Sequence, residues 1–335
     1  VVVTNEGYIK RVPYRSYSSS NGEDTLLKEN DYTIGMYNIN TTDVMLLFTN
    51  LGNYLYLPVY DIPECKWKDL GKHISNIIPL MDDEKIVHSM FVSDFDEEKY
   101  ITSFSKNGMI KRTLLNEFKA QRYSKPIKMM NLKDDDEIVN VTDSSDREVF
   151  VATSCGYGLW YDVSEVPVVG IKAAGVKSIN LKDDYVVSGI LFNAGSEYIT
   201  ILTDKGTGKR VKLLEFEKTS RAKRGILLMK VIKSNPSRVI SVYIEDSKSL
   251  IGIVSDNYTK EVKITEIPIM DRYSNGSYVI KDRILSSYNI KGMETYNDKE
   301  KEDKTSVKVE KSAVSLKEID DKLSSIDSII NDSYE

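Results

Sequence analysis

The stretch EVFVATSCGYGLWYDV (148–163) holds the pattern that decides the fold. Two segments rich in Val, Phe, Tyr and Trp flank a tight turn at Cys155 and Gly156, and residues of these types favour β-strands. Such a turn needs a residue that tolerates positive φ, and glycine does so because it lacks a Cβ. A connection, SEVPVVGIKAA (164–174), and a further apolar segment, GVKSINL (175–181), complete the unit. The unit therefore predicts a small antiparallel sheet of four short strands.

The same unit occurs six times before residue 290. Its turn residues are Gly7, Gly52, Gly108, Gly156, Gly206 and Asn257, at intervals of 45, 56, 48, 50 and 51 residues. Asparagine adopts the left-handed conformation more readily than most residues, so Asn257 is predicted to keep the same turn in unit six. A second glycine lies 19 residues beyond four of these turns and opens an apolar segment: Gly71, Gly175, Gly225 and Gly276.

Repeats of about fifty residues with four short strands each predict an all-β fold, a propeller-like ring of six four-stranded blades. This domain is predicted to span residues 1–290. Beyond it, a stretch rich in Lys, Glu and Asp has too few large apolar residues to fold alone. Residues 291–335 are therefore predicted to be a charged, disordered tail. Apolar residues at helical spacing inside it indicate a short helix over 315–331, either docked or transient.

Acidic residues are unevenly distributed along the chain. The formal net charge is −5. Residues 291–335 hold 8 Lys against 12 Asp and Glu, a balance of −4, which leaves −1 for residues 1–290. Within the predicted domain the acids gather in four short loops: MDDE (81–84), DFDEE (94–98), KDDDE (133–137) and KDD (182–184). A domain of nearly zero net charge can therefore still present a basic face.

Residues with catalytic or metal-binding potential are scarce. Cys65 and Cys155 lie ninety residues apart without a partner pattern, which argues against a disulfide framework or zinc site and favours free thiols in a reducing cytoplasm. His73 and His88 stand in unrelated contexts and are predicted to be surface or packing residues. The chain contains no GxSxG elbow and no phosphate-binding loop. An enzyme site is therefore the least supported of the functions considered.

Basic residues recur directly after the turns of the odd units and within the connections. If corresponding loops of a ring face the same way, these cations form a belt suited to a long polyanion, because each neutralised phosphate releases counterions. Lysine-rich hairpins are also common for solubility and edge protection, so that alternative stays open. The candidate phosphate contacts are Lys10, Arg11, Arg15, Lys111, Arg112, Arg122, Lys125, Lys172, Lys177, Lys209, Arg210, Arg221, Lys223 and Arg224.

The first hairpin, VVVTNEGYIKRVPYRSY (1–17), resembles the opening of the C-terminal domain of bacterial type IIA topoisomerase A subunits. Four further segments resemble the same family, in the same order and at repeat spacing: SKNGMIKRT (105–113), AAGVKSINLKDD (173–184), TDKGTGKRVK (203–212) and RAKRGILLMK (221–230). The resemblance covers residues 1 to about 285. It implies a six-bladed β-pinwheel, in which neighbouring blades exchange hairpins and DNA bends around the basic outer edge.

One loop separates the two branches of this family. In gyrase, the loop after the first hairpin carries a glutamine, two arginines and a run of glycines that are needed to wrap DNA with positive handedness. Here the loop reads YRSYSSSNGED (14–24), which keeps Arg15 but has no such run. A shortened relic stands in unit five, at Arg221 to Gly225. The resemblance therefore favours topoisomerase IV, with the gyrase wrapping domain as the alternative.

The resemblance also implies a function for the domain. It is expected to bind and bend double-stranded DNA and to present the transported segment for ATP-dependent strand passage, decatenation and supercoil relaxation. The catalytic tyrosine would lie upstream of Val1, so the domain itself is expected to be non-catalytic and to need no cofactor. ATP and Mg would serve the holoenzyme, an isomerase. Expected partners are the ATPase B subunit together with the rest of the A subunit, in the cytoplasm at the nucleoid and not at a membrane. A protein-interaction platform of the propeller type is the alternative from another functional class.

Overall fold

The computed structural model describes residues 1–133, 135–232 and 234–295. One short α-helix, α1 (Tyr14–Ser18), lies among the strands. The strands are β1 (Val2–Thr4), β2 (Tyr8–Lys10), β3 (Thr33–Asn38), β4 (Val44–Thr49), β5 (Asn53–Pro58), β6 (Lys72–His73), β7 (Ile86–Val92), β8 (Tyr100–Ser105), β9 (Met109–Leu114), β10 (Ile127–Lys128), β11 (Ile138–Thr142), β12 (Glu148–Thr153), β13 (Tyr157–Asp162), β14 (Val176–Lys177), β15 (Val186–Phe192), β16 (Tyr198–Thr203), β17 (Thr207–Lys212), β18 (Ile226–Leu227), β19 (Val239–Tyr243), β20 (Leu250–Ser255), β21 (Thr259–Lys263), β22 (Ser277–Tyr278), β23 (Ile284–Ile290) and β24 (Glu294–Thr295). Single turns of 3-10 helix occur at Val59–Asp61, Ile74–Asn76, Leu115–Phe118, Val163–Glu165, Leu213–Glu215 and Ile264–Glu266.

These strands form six small sheets, which confirms the predicted all-β, six-bladed ring. The strand orders, from the inner to the outer edge, are β24-β3-β1-β2-β6 in blade one, β7-β4-β5-β10 in blade two, β11-β8-β9-β14 in blade three, β15-β12-β13-β18 in blade four, β19-β16-β17-β22 in blade five and β23-β20-β21 in blade six. Blades two to five have the predicted four strands. Blade one has five, and blade six has three among the described residues.

The outermost strand of each of blades one to five comes from the next unit of the chain. In blade three, for example, Val176 and Lys177 of unit four pair with Ile110 and Met109. The sequence pattern had placed this segment in its own unit's sheet, whereas the exchange between blades was implied by the family resemblance. Each blade is therefore bound to its successor by backbone hydrogen bonds along its outer edge.

The hairpin turns of blades one to five share a glycine at positive φ, and blade two shows the hydrogen bonds typical of blades one to four. Gly52 has a φ of 72° and donates its N–H to the Thr49 carbonyl oxygen at 3.2 Å, while the Thr49 hydroxyl accepts from the N–H of Asn53 at 3.3 Å. Blade six differs. Val254 pairs with Thr259, so its turn is one residue shorter than that between Leu202 and Gly208.

The prediction for Asn257 is wrong, because this residue is absent from the described residues with positive φ. Ser255 and Tyr258 close the shorter turn instead, with the Ser255 N–H donating to the Tyr258 carbonyl oxygen at 2.9 Å. One residue fewer removes the position that glycine fills in the other blades.

The innermost strands surround the axis and meet at the seam between blades one and six. There β23 lies against β3. The rings of Tyr32 and Tyr288 stack with their centroids 3.6 Å apart, and β24 pairs in parallel with β3. Regular pairing thus reaches Thr295, five residues beyond the predicted domain end at residue 290. The remainder of the predicted tail, including the helix over 315–331, lies outside the described residues.

The apolar core is divided among the interfaces between neighbouring blades. One cluster joins Leu46 and Phe48 of blade two to Ile101 and Val141 of blade three. Similar clusters join blades one and two, three and four, four and five, and five and six. Each of blades two to five therefore buries both faces, as expected for strands with near-continuous apolar runs.

Gly225 directly precedes the exchanged strand β18, and its conformation leads to a prediction about stability. Gly225 has a φ of 81°, and a Cβ there would lie 2.2 Å from the Gly158 carbonyl oxygen. We expect Gly225→Ala to lower the free energy of unfolding by about 2 kcal/mol or more, since it combines left-handed strain with a backbone clash. Urea unfolding measures the change. Gly170→Ala is the matched control, because a Cβ there meets nothing within 4 Å and φ is ordinary; an equal loss in both variants would contradict the account.

Candidate nucleic-acid interface

The connections between units form the outer perimeter of the ring. After its 3-10 helix, the connection of units two, four, five and six runs beside the second hairpin strand of the preceding blade and then turns back as the exchanged strand. In blade three the Arg112 carbonyl oxygen accepts from the N–H of Val169 at 2.9 Å. Neighbouring connections also bond to each other: the Asn180 N–H donates to the Lys223 carbonyl oxygen at 2.9 Å. The perimeter is therefore a connected surface and not a set of independent loops.

Lys209, a predicted phosphate contact, is inside this perimeter and only 2% exposed. Its Nζ donates to three carbonyl oxygens of the connection from unit six: Asp271 at 3.2 Å, Arg272 at 2.6 Å and Ser274 at 2.7 Å. These carbonyls replace the water that the ammonium group loses on burial. Lys209 thus holds the loop that supplies the outer strand of its own blade.

Lys10 and Lys111 occupy the equivalent place in blades one and three. They are 2% and 1% exposed. Lys10 Nζ donates to the carbonyl oxygens of Trp67, at 2.6 Å, and Asp69, and Lys111 Nζ donates to that of Ile171. We call Lys10, Lys111 and Lys209 the clamp lysines. The prediction that they contact phosphates does not agree with their burial, because each ammonium group is already enclosed by backbone oxygens.

Burial also changes the acid–base properties of the clamp lysines. Loss of water around the ammonium group lowers the pKa of Lys111 and of Lys209 to about 8 and lowers the pKa of Lys10. In blades two and four the equivalent residues are the buried, uncharged Leu55 and Leu159. The charged clamp is therefore a feature of the odd blades.

The arginines that follow the clamp lysines also bind the next unit. Arg210 Nε donates to the Ile267 carbonyl oxygen at 2.8 Å, and its guanidinium lies 5.3 Å from the Tyr198 ring centroid. Arg112 donates to the Val163 carbonyl oxygen at 3.3 Å and stacks on Tyr100 in the same way. Arg11 donates to the Ile62 carbonyl oxygen and pairs with Glu64 at 3.3 Å. These three arginines are half-buried, so only part of each guanidinium can face a ligand.

Arg221 lies in the connection of unit five and links two blades. Its Nε donates to the Glu165 carbonyl oxygen at 3.0 Å, and its Nη1 donates to the carbonyl oxygen of Lys177 in the outer strand of blade three. Arg272 does the same one unit later, donating to the Leu227 carbonyl oxygen at 2.7 Å. Arg272 was not among the predicted contacts, although it stands four residues before Gly276 as Arg221 stands four before Gly225.

The other seven predicted cations are exposed on the perimeter. We call them the perimeter cations: Arg15, Arg122, Lys125, Lys172, Lys177, Lys223 and Arg224. Arg224 stacks on the Tyr157 ring at 4.3 Å, which leaves its guanidinium edge accessible. Lys128 was not among the predicted contacts. It lies in β10, two residues after Pro126, as Lys177 lies two residues after Gly175, and it is also exposed.

Acidic loops stabilise the hairpin turns rather than the perimeter. Glu84 Oε1 accepts from the hydroxyl of Thr49 and the amide of Asn53, both at 2.7 Å. Asp136 and Asp184 accept from the N–H groups of Asn107 and Cys155, at 2.8 and 2.9 Å. Among residues 1–133, 135–232 and 234–295, no group of three His, Cys, Asp or Glu residues is arranged to hold a metal ion.

Both histidines have the structural roles predicted for them. His73 Nδ1 accepts from the N–H of Ser75 at 3.2 Å, at the start of a 3-10 helix. His88 packs against the Phe48 ring, with centroids 6.0 Å apart, and burial lowers its pKa to about 3.

A family model described as the DNA gyrase C-terminal domain, a β-propeller, matches residues 1–22, 43–93, 99–143, 147–193 and 197–244. The chain belongs to this gyrase-type C-terminal domain family. It is 46% identical over 281 residues to the A subunit of DNA topoisomerase 4 from Bacillus subtilis and 37% identical over 281 residues to that from Staphylococcus epidermidis. Each alignment covers 83% of this chain and 35% of the relative, so the chain spans about a third of their length.

Solved structures agree with this assignment of the gyrase-type C-terminal domain. A crystal structure of the C-terminal domain of DNA topoisomerase IV matches with a TM-score of 0.84 and 44% identity, covering 87% of this chain and 92% of that one. The C-terminal domain of DNA gyrase A matches with a TM-score of 0.64 and 19% identity, over 87% of this chain and 99% of that one, which shows a common fold. The predicted family and its topoisomerase IV branch are confirmed.

The loop that distinguishes gyrase lies on blade one in this gyrase-type domain. Residues 14–18 form α1, and the following segment is held by Trp67, whose Nε1 donates to the Glu23 carbonyl oxygen at 2.6 Å. The Tyr17 ring packs edge-on against Trp67 at 5.0 Å. The loop is thus folded onto the connection of unit two. Arg15 is exposed on its surface.

None of the helices among the described residues is long and apolar enough to cross a membrane.

Burial of the clamp lysines generates a prediction about pH. A lysine in the unfolded chain has a pKa near 10.4, so between about pH 8 and pH 10 the unfolded state binds more protons than the folded state. The free energy of unfolding of the natural chain, relative to Lys209→Met, should therefore rise by about 2 kcal/mol between pH 7 and pH 9.5. Urea unfolding at both pH values measures this difference, and other ionisable groups cancel because both proteins contain them.

Lys212→Met is the control for this comparison. Lys212 lies in the same strand, three residues after Lys209, and is exposed. Its substitution should leave the pH dependence unchanged. If the Lys209→Met difference is also independent of pH, Lys209 titrates as a solvated lysine and the clamp assignment is wrong.

Proposed function

We propose that this domain binds duplex DNA along the perimeter cations and bends it around the outer edge of the ring. The observation that carries the proposal is the separation of roles among the predicted residues. The clamp lysines and their neighbouring arginines fix the connections, and the perimeter cations project from those connections without carbonyl partners for their charged groups among the described residues. Cations held on a curved scaffold favour a polyanion that follows the same curve.

Phosphate contacts, and not base contacts, explain such a surface best. Lysine and arginine on exposed loops can neutralise phosphates of any sequence, and each neutralised phosphate releases counterions. Bending a duplex of 20–30 base pairs through 40–90° costs on the order of 1–6 kcal/mol, so several contacts must act together. Cations spread over the connections of units three, four and five supply contacts on adjacent blades.

The relatives suggest the role of this bending. They are named as A subunits of DNA topoisomerase 4, and this name supports a role for the domain in an enzyme that passes one DNA segment through another. We infer that the domain holds the transported segment near the gate of the holoenzyme, which contains the rest of the A subunit together with an ATPase B subunit. Decatenation and relaxation of supercoils would follow from ATP-dependent strand passage elsewhere in that assembly. The site of action would be the cytoplasm, at the nucleoid.

Binding to a labelled duplex of about 40 base pairs over a salt series tests the proposal. We expect the affinity to fall steeply, with a log–log slope of about −4 or steeper, because each neutralised phosphate contributes about −0.9. Affinity should depend little on base sequence. A flat salt dependence or no binding would contradict the proposal and favour the protein-interaction platform.

Neutralising two perimeter cations should reduce that slope selectively. In Lys172→Gln/Lys177→Gln, two contacts of blade three are lost, so the slope should become shallower by about 2 units. Lys133→Gln/Lys182→Gln is the matched control, since it removes equal charge from two exposed lysines in acidic loops. Equal changes in the two variants would show that overall charge, and not the perimeter, determines binding.

A further inference from the structure

Unit six carries tyrosines at two positions where unit four carries perimeter cations. Tyr273 takes the place of Lys172, three residues before the glycine that directly precedes the exchanged strand. Tyr278 takes the place of Lys177, two residues after that glycine. The connection of unit six thus presents aromatic rings where the connection of unit four presents charges.

The register of the sheets confirms that Tyr278 is equivalent to Lys177. In blade five Tyr278 pairs with Thr207, and in blade three Lys177 pairs with Met109. Thr207 and Met109 are the first residues of the second hairpin strand in their blades. Tyr278 and Lys177 therefore occupy the same place on the outer edges of blades five and three.

Both tyrosine side chains are exposed to solvent. Tyr273 is 59% exposed and Tyr278 is 75% exposed. Unit three also has a tyrosine at the position of Tyr273, but the ring of that residue, Tyr123, packs against the Tyr56 ring with centroids 5.3 Å apart. The tyrosines of unit six are thus free to contact a ligand.

Tyr273 is adjacent to the row of perimeter cations. Its neighbour Arg272 donates from Nη1 to the Leu227 carbonyl oxygen at 2.7 Å, in the outer strand of blade four. Arg224 stands two residues before that strand. Tyr273 therefore continues the row from the outer edge of blade four to that of blade five.

Cations flank the two tyrosines on both sides of blade five. Arg224 and Arg272 lie towards blade four. Towards blade six, the exposed Lys260 donates to the Val279 carbonyl oxygen at 3.2 Å, one residue after Tyr278. This arrangement of charge favours a polyanion as the occupant of the surface.

The contact with Arg272 leaves Tyr273 able to bind an anion. The guanidinium lies 4.4 Å from the ring centroid, and its Nη2 donates to the phenol oxygen at 3.2 Å. Because the phenol oxygen accepts this bond, its own proton remains available to donate. A phosphate oxygen is a strong acceptor for such a proton.

We propose that Tyr273 and Tyr278 extend the DNA-binding perimeter onto blade five as uncharged contacts, with their hydroxyl groups donating to phosphate oxygens. This inference rests on the proposed function. Tyrosine is among the residues that bind phosphates without reading bases. Unlike a lysine, it neutralises no phosphate and releases no counterions, so its contribution to affinity depends little on salt. Part of the affinity then persists at salt concentrations that weaken the cationic contacts.

A double variant of unchanged charge tests the proposal by DNA binding. Tyr273→Ala/Tyr278→Ala should bind a duplex of about 40 base pairs about tenfold more weakly than the natural chain, because hydrogen bonds to charged groups are lost. Its log–log salt slope should stay within about 0.5 units of the natural value, since no cation is removed. Tyr185→Ala/Tyr258→Ala is the matched control. Both of these residues are 44% exposed and lie beside hairpin turns, so the control should bind as the natural chain does.

Lysine substitutions test whether the same two positions lie on the path of the DNA. Tyr273→Lys/Tyr278→Lys repeats the pattern of unit four and should make the salt slope steeper by about 2 units, because two more phosphates are neutralised. Tyr185→Lys/Tyr258→Lys adds equal charge beside the hairpin turns and should leave the slope nearly unchanged.

The two proposals fail in different ways in these measurements. If the natural chain binds with a steep salt slope but the Tyr273→Ala/Tyr278→Ala variant binds equally tightly, the tyrosines do not contact DNA. Equal slopes in the two lysine variants would have the same meaning. Either result overturns this inference, leaves the proposed function standing and points to a protein partner for the tyrosines. If the natural chain does not bind, or binds with a flat slope, the proposed function fails and this inference fails with it.

Discussion

The structure depends on the exchange of one short strand between neighbouring blades. Strands such as β14 and β18 are two residues long, too short to be held by their own ladder hydrogen bonds. Glycines at positive φ let the chain approach the preceding blade, and in odd blades an enclosed ammonium group binds the carbonyl oxygens of the incoming loop. The position of each connection is therefore determined by the blade before it. Because the perimeter cations stand on these connections, their spacing around the ring follows from the same interaction.

The distribution of charge explains how a nearly neutral domain can present a basic surface. Many acidic side chains are used locally, as when Glu84 and Asp136 bind groups of the hairpin turns. Others pair within the fold, as Glu148 does with Lys218 at 2.7 Å. The connections, in contrast, carry lysines and arginines whose charged groups point to solvent. Net charge alone would therefore give a poor estimate of the affinity of this domain for a polyanion.

Much of the fold could be predicted from the sequence, because glycines recur at equivalent positions of the repeat. The turns at Gly52 and Gly156 and the glycines such as Gly225 have conformations that few other residues adopt, so their spacing gives the number of blades. The spacing of glycines does not show which blade receives each outer strand. A strand of two residues is too short to leave a periodic pattern in the sequence. Asn257 shows a related limit: a turn shortened by one residue no longer needs a left-handed residue.

The site was predicted only in part, and the reason lies in strand geometry. Lys209 and Arg210 are consecutive residues of β17, and consecutive side chains of a strand point to opposite faces. In the sequence, a lysine next to an arginine suggests a single charged surface. In a strand, however, the two side chains cannot both face the same ligand. The exchanged loop that encloses Lys209 comes from residues more than sixty positions later, and no local pattern signals it. Lys128 and Arg272, however, could have been found by aligning the units on Pro126 and Gly276.

The clamp lysines are internal, and we propose that the perimeter cations contact DNA. Acetylation of lysines by a water-soluble reagent, with the modified residues quantified by mass spectrometry in the presence and absence of duplex DNA, tests both parts at once. We expect Lys125, Lys172, Lys177 and Lys223 to react in the free protein and to be protected by DNA, whereas Lys10, Lys111 and Lys209 should react slowly in both states. Rapid modification of the clamp lysines with loss of reactivity on DNA binding, or unprotected perimeter lysines, would contradict the account.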